Sequence, residues 1–225
     1  MEYSTEELIR LVNDADPRSH SYVGALEMYR SLIIYYQSAI DEVETKLKII
    51  DRELNNSPRI GRSNTIHQIQ SRVKTLKSIV LKLDRKNLEF SKEIVADELS
   101  DVAGIRVICA YVDDIYMVLE SLSHQSDLKI VEIKDYIIDP KPSGYRSLHV
   151  IVEIPVFFFK ETKNIKVEIQ FRTIAMDYWA SLEHGLRYKK GVDDEKLSNR
   201  LVETAEVISN LEMEMLAIRN GIDGI

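Results

Sequence analysis

Residues 139–172 read DPKPSGYRSLHVIVEIPVFFFKETKNIKVEIQFR, a Pro/Gly loop running into two β-rich segments. In the last of these, Val167, Ile169 and Phe171 alternate with Lys166, Glu168, Gln170 and Arg172. A period of two puts the polar set on one face of a strand and the apolar set on a core. The preceding run, 147–156, is apolar apart from Ser147, His149 and Glu153, and the loop before it carries Lys141, Gly144, Tyr145 and Arg146. One short stretch therefore supplies a flexible turn, two cations, an aromatic ring, a histidine and a carboxylate. That set suits an anionic, ring-bearing ligand such as a nucleotide.

Working outward, GIRVICAY (104–111) and LKIVEIKDYI (128–137) are further strand signals, separated by a helical pattern near 113–126. Helical patterns cover about 21–54, ending at the breaker NNSPRIG, and about 65–89, with Ile66, Ile69, Val73, Leu76, Val80 and Leu83 at helical spacing. A short helix is expected from Ser91, and two more at about 174–190 and 194–219; Ser4 followed by Glu7 reads as a capping box opening a short first helix. The expected class is α+β, a mixed sheet of four or five strands packed by helices, with helical extensions at both ends.

Composition narrows the partners. The chain has 225 residues, 44% hydrophobic and 30% charged, as in a water-soluble globular protein. A net charge of -7 disfavours indiscriminate binding of DNA or RNA, so a polyanion site must be local. Cys109 sits in the apolar run IRVICAY and reads as a buried thiol, which with no second cysteine fits a reducing cytoplasm. The start MEYSTEEL lacks the character of a signal peptide, and runs such as IPVFFF fall short of the ~20 residues of a membrane helix.

Cations concentrate between residues 65 and 92, where seven Lys or Arg face only Asp84 and Glu89. On a helix, Arg72, Ser78, Lys82 and Lys86 would share an arc beside the apolar stripe, bordering a groove with the sheet. Arg106 and His149 interrupt apolar strands as the polar set of 165–172 does, which points to one functional sheet face. Asp101 and Glu168 are the carboxylates to pair on Mg²⁺, completed by substrate phosphates and water. Tyr145 is placed to stack on a base, with Lys141 and Arg146 near phosphate oxygens. Glu183 and His184 are adjacent in sequence, which is not ligand spacing on a helix, and read as supporting residues. Asp113 and Asp114 fall at a helix start, where acids favour the dipole.

The segments DVAGIRV, KDYIIDPKPSGYRSLH, VEIQFRT and DYWASLEHGLRYK, spaced and ordered over about residues 65–190, resemble the synthetase domain of the RelA/SpoT family. No His-Asp dipeptide occurs at any of the five histidines, and the length leaves no room for the hydrolase or regulatory domains of long members. The resemblance is to a stand-alone small alarmone synthetase of the RelP type, with an amino-terminal helical extension (1–62), a synthetase domain (63–192) and a carboxy-terminal helix (193–225) belonging to the same unit. It implies a nucleotidyltransferase-like sheet, Mg²⁺, a homotetramer, and transfer of the β,γ-pyrophosphate of ATP to the 3′-hydroxyl of GDP or GTP, with no hydrolase activity. Arg72 and Arg106 would flank the adenine, and Ser78 and Lys82 would hold ATP phosphates. Asp101 and Glu168 would hold the metal, with Glu168 accepting or orienting the hydroxyl proton. Tyr145 would stack on the guanine, Lys141 and His149 would meet the acceptor's phosphates, and Gln170 and Arg172 would support them. Ser143 stands where many relatives carry Asn, a change a turn tolerates. GDP or GTP preference and regulation by alarmone or RNA stay open, as does a rival reading, a non-catalytic nucleotide- or RNA-binding module on the same fold.

Overall fold

The structure, a computed structural model, describes residues 20–56, 64–190 and 195–223. The proposed capping box at Ser4 and Glu7 and most of the breaker after Asn56 lie outside them. Five strands form one mixed sheet in the order β1-β2-β5-β4-β3: β1 (Ile66–Val73), β2 (Ala103–Cys109), β3 (Lys129–Asp135), β4 (Leu148–Phe157) and β5 (Thr162–Thr173). Only β2 and β5 run parallel; the other three pairings are antiparallel. Among the described residues six helices join the sheet: α1 (His20–Asn56), α2 (Leu76–Arg85), α3 (Lys92–Glu98), α4 (Val112–Ser123), α5 (Ile174–Lys190) and α6 (Glu195–Asp223).

The two sheet faces divide as the alternation in β5 predicts. Ile165, Val167, Ile169 and Phe171 are buried with Val150, Val152 and Ile154 of β4 and Ile105 and Val107 of β2. Helix α1 lies across this face and touches β1, β2, β4, β5 and α4. Its residues Ala39, Ile40, Val43 and Leu47, spaced by one, three and four, are all fully buried. Of these, Ile40, Val43 and Leu47 each contribute about 1.5–3 kcal/mol by leaving water. The amino-terminal helix is thus one wall of the core. Cys109 is buried in the same core, and desolvation pushes its thiol far above the ordinary range, against use as a nucleophile.

The expected helix over 65–89 is corrected: Ile66–Val73 is the edge strand β1, and only Leu76–Arg85 is helical. The helical spacing of Ile66 and Ile69 comes from a bulge. The register shifts between Ile66 and Gln68, so that Ile66 faces Cys109 while Ile69 faces Val107, and both residues land on the core side despite being three apart. Thr75 then starts α2, its hydroxyl accepting from the Ser78 N–H at 3.3 Å. Ser91 starts α3 in the same way through the Ile94 N–H at 3.1 Å.

Helix α6 returns to pack on the chain's other end of the sheet. The indole N–H of Trp179 donates to the Leu201 carbonyl at 3.1 Å, and Arg219 pairs with Asp113 at 2.5 Å while lying 4.3 Å from the Tyr111 ring centroid. Asp114 accepts from the Tyr111 N–H at 3.1 Å, so the two acids at the start of α4 do more than meet a helix dipole. None of the described helices is long and apolar enough to cross a membrane. Truncating the centre of the α1 contact with Ile40→Ala is expected to cost about 2–5 kcal/mol, read as a lower midpoint in urea denaturation.

Candidate active site

The polar face of the sheet carries the site. Strand register aligns Gln70, Arg106, Gln170, His149 and Lys134 in one row across all five strands, and Arg72, Gly104, Glu168 and Ile151 in the next. Cross-strand partners share a face, so three strands do bring Arg106, His149, Glu168 and Gln170 together. An open cavity of about 240 Å³ lies over these rows, lined by Arg72, Asp101, Gly104, Arg106, Glu168 and Gln170 among others. Gly104 forms its floor between Arg72 and Glu168.

Asp101 is held by two lysines, Lys74 at 2.6 Å and Lys82 at 2.7 Å, both on the same oxygen. Burial opposes its charge, yet the paired ammonium groups outweigh this and hold the carboxyl below its ordinary value. Its other oxygen, Oδ1, is buried without a hydrogen-bond partner. Glu168 follows the same logic: burial disfavours its charge, while His149 Nδ1 at 3.5 Å and the Gln170 amide at 2.9 Å lower its pKa. Both carboxylates are therefore ionised on one cavity wall. Among the described residues no three His, Cys, Asp or Glu gather as a metal-ligating group. A divalent cation here would take these two carboxylates and complete its shell from phosphate oxygens and water, and the unpartnered Asp101 Oδ1 is an acceptor suited to it.

The loop before β4 closes one side. Arg172 can only donate, so the Tyr145 hydroxyl accepts from its Nη2 at 2.9 Å, and the same hydroxyl shares a hydrogen bond of 2.8 Å with His149 Nε2. On its other side the ring sets Nδ1 3.5 Å from Glu168 Oε1. Tyr136, Tyr145 and His149 meet edge to face, and Lys141 Nζ lies 4.5 Å from the Tyr136 ring centroid and 5.2 Å from that of Tyr145. Gly144 adopts φ +86°, and a Cβ there would sit 2.9 Å from Ala205 Cβ and 3.2 Å from Val202 Cα of α6. Glu212 of α6 bonds the Thr173 hydroxyl, with its own carboxyl raised by burial. Ser147 Oγ donates to the Phe171 carbonyl at 2.9 Å and ties the loop to β5.

The structure separates some residues that the sequence grouped. Arg72 reaches the cavity from β1, and Ser78 and Lys82 stand on α2, so no single helix face holds them. Ser78 is exposed, its hydroxyl 2.9 Å from that of Thr75, and is not part of the cavity wall. Lys86 turns away to Glu98 at 2.9 Å. Glu183 and His184 lie along α5, outside the cavity lining. Tyr145 also leans on the small cluster of Trp179, Ala180 and Ala205. Sequence reasoning missed Lys74, which shares the strand period of Arg72; Tyr136, inside the KDY segment; and Asp177, which accepts from Arg172 at 2.9 Å.

A mixed sheet whose polar face joins paired carboxylates, clustered cations and an aromatic loop is the site of a nucleotide-handling transferase. Residues 71–193 match the family described as the region found in RelA / SpoT proteins. The chain is 44% identical to GTP pyrophosphokinase YwaC of Bacillus subtilis over 88% of this chain and 93% of the relative. It is 36% identical to GTP pyrophosphokinase YjbM of the same organism, over 87% and 90%. The crystal structure of B. subtilis small alarmone synthetase 1 bound to its product pppGpp superposes with a TM-score of 0.77 at 35% identity, covering 87% of this chain and 98% of that one. The chain belongs to the RelA/SpoT family.

Gly144→Ala meets both the left-handed backbone and the wall of α6. The expected loss is about 2 kcal/mol, a fall of about 4–8 °C in Tm for a chain of this size, measured by calorimetry.

Proposed function

We propose that this chain transfers the β,γ-pyrophosphate of ATP to the ribose 3′-hydroxyl of GDP or GTP, releasing AMP and forming ppGpp or pppGpp. The observation that carries the reading is one cavity lined by Asp101, Glu168, Arg72 and Arg106, in which Asp101 is also paired with Lys74 and Lys82. Within the family we place the chain with the stand-alone RelP type, with the chemistry borne by residues 63–192.

We assign the roles as the family resemblance implies them. Arg72 and Arg106, on adjacent strands, flank the adenine, while Ser78 and Lys82 on α2 hold the ATP phosphates, joined by Lys74. Tyr145 stacks on the guanine. Lys141 and His149 meet the acceptor's phosphates, and Gln170 holds Glu168 in place. Mg²⁺ on Asp101 and Glu168 would neutralise charge on the phosphoryl oxygens. Glu168 orients the 3′-hydroxyl and accepts its proton as the oxygen bonds to the β-phosphorus; the bond from that phosphorus to the α,β-bridging oxygen breaks, and AMP leaves. Positioning and charge neutralisation supply most of the rate in such transfers, which suits a site rich in cations.

Incubation with ATP, Mg²⁺ and GDP or GTP, followed by anion-exchange chromatography, is expected to give AMP in step with a more highly charged guanine nucleotide. Glu168→Gln is expected to reduce turnover by more than tenfold. Unchanged nucleotides from folded protein would favour the non-catalytic binding module.

We further propose a cytoplasmic homotetramer. Tyr178, Leu182 and Leu186 on α5 are exposed at steps of four, and Val207, Leu211, Met215, Ile218 and Ile222 form a second exposed stripe on α6. Apolar stripes on neighbouring helices fit subunit contacts. Light scattering at micromolar concentration is expected to give four times the 26.0 kDa chain mass; a monomeric mass would refute this.

A further inference from the structure

Arg172 closes the polar face at the end of β5, its side chain only 8% exposed. Its Nη1 donates to Asp177 Oδ1 at 2.9 Å, and its Nη2 to the Tyr145 hydroxyl at 2.9 Å. Asp177 Oδ1 also takes Arg106 Nη1 at 3.4 Å. Arg106, Asp177, Arg172 and Tyr145 thus form one unbroken chain of contacts. Its two ends are the residues assigned above to the adenine of the donor and the guanine of the acceptor.

The chain is stiff where it matters. A guanidinium is a planar fork, so Arg172 cannot follow Asp177 without moving the donor that holds the Tyr145 hydroxyl. Its Cζ also lies 5.2 Å from the Tyr145 ring centroid, so ring and hydroxyl are both referred to the same group. Asp177 is the single anion between two guanidiniums that otherwise repel. Burial and the charge of Arg172 lower the pKa of Arg106, while Asp177 works in the opposite sense. A pin for the start of α5 would need only the Arg172–Asp177 pair, not the further contacts to Arg106 and Tyr145.

We propose that Arg172 is a positioning residue that couples the donor and acceptor sites, so that a base stacked on Arg106 fixes Tyr145 and each nucleotide tightens the binding of the other. This rests on the roles of Arg106 and Tyr145 given under the proposed function. Coupling of binding is reciprocal, and a factor of about five or more is typical where two sites share one structural element.

The test uses the full chain with Mg²⁺. The α,β-methylene analogue of ATP, which cannot be cleaved at the bond the reaction breaks, is titrated calorimetrically with and without saturating GDP. GDP is then titrated with and without the analogue. In the unmodified protein each nucleotide is expected to lower the other's Kd by about fivefold or more. In Arg172→Lys, and independently in Tyr145→Phe, which removes only the hydroxyl, the ratio is expected to fall to within about twofold of one. The ratio is the reading because it cancels losses common to both titrations, and Tyr145→Phe serves if the arginine variant does not fold. A ratio near one in the unmodified protein, or full coupling retained in a folded variant, overturns the proposal. Arg106→Ala and Tyr145→Ala separate the two levels: if neither weakens its own nucleotide, the site assignment has failed and the coupling with it. If both weaken binding as assigned but coupling is absent, the failure belongs to Arg172 alone.

Discussion

The parallel pairing of β2 on β5 sets Gly104 opposite Glu168 and Arg106 opposite Gln170, and from that register the rest of the site follows. Because side chains alternate, a slip of one residue would send Arg106 into the core and Ile105 into the cavity. What prevents the slip is the other face. Ile105 and Val107 of β2 and Val167, Ile169 and Phe171 of β5 are all buried against α1 and α4, so the polar row is aligned by the apolar one beneath it. Helix α1 therefore helps to set the register of a polar row on the opposite face of the sheet. Even the turn carrying Lys74 is fastened to it, through the Tyr29 hydroxyl donating to the Lys74 carbonyl at 3.0 Å.

Charge is distributed with the same economy. The protein is acidic as a whole, yet its cavity sets Arg72 of β1 and Arg106 of β2 beside two carboxylates, one of them paired with Lys82 of α2. Asp101 stays ionised despite burial because two ammonium groups share it, and Glu168 because an imidazole and an amide donate to it. Both groups keep their charge through partners rather than through water. The loop before β4 is held from behind in a comparable way, with α6 meeting Gly144, Thr173 and the start of α4.

Strands β2 to β5 were legible because their alternation is local and regular, and helices α3 to α6 because apolar spacing and start signals agree. Edge strand β1 was not. Its bulge places two isoleucines three residues apart on one side, which in a sequence is the mark of a helix, and only pairing with β2 reveals otherwise. For the site, residues inside regular strands could be placed on a face from sequence, which found Arg106, His149, Glu168 and Gln170. Lys74 was hidden by the same error as β1. Asp177 and the bond between Arg219 and Asp113, 106 residues apart, depend on how α5 and α6 come to rest, and no local pattern encodes that.

Gly104 separates two demands that usually coincide. A Cβ there would find Arg72 atoms at 3.8 and 3.9 Å, ordinary contact distances, and the backbone is not one reserved for glycine. Folding thus accepts a methyl group at this position, yet Gly104 lines the cavity beside Arg72 and Glu168, so that any added side chain takes volume from it. Drift at Gly104 would leave a sound protein with a shallower site.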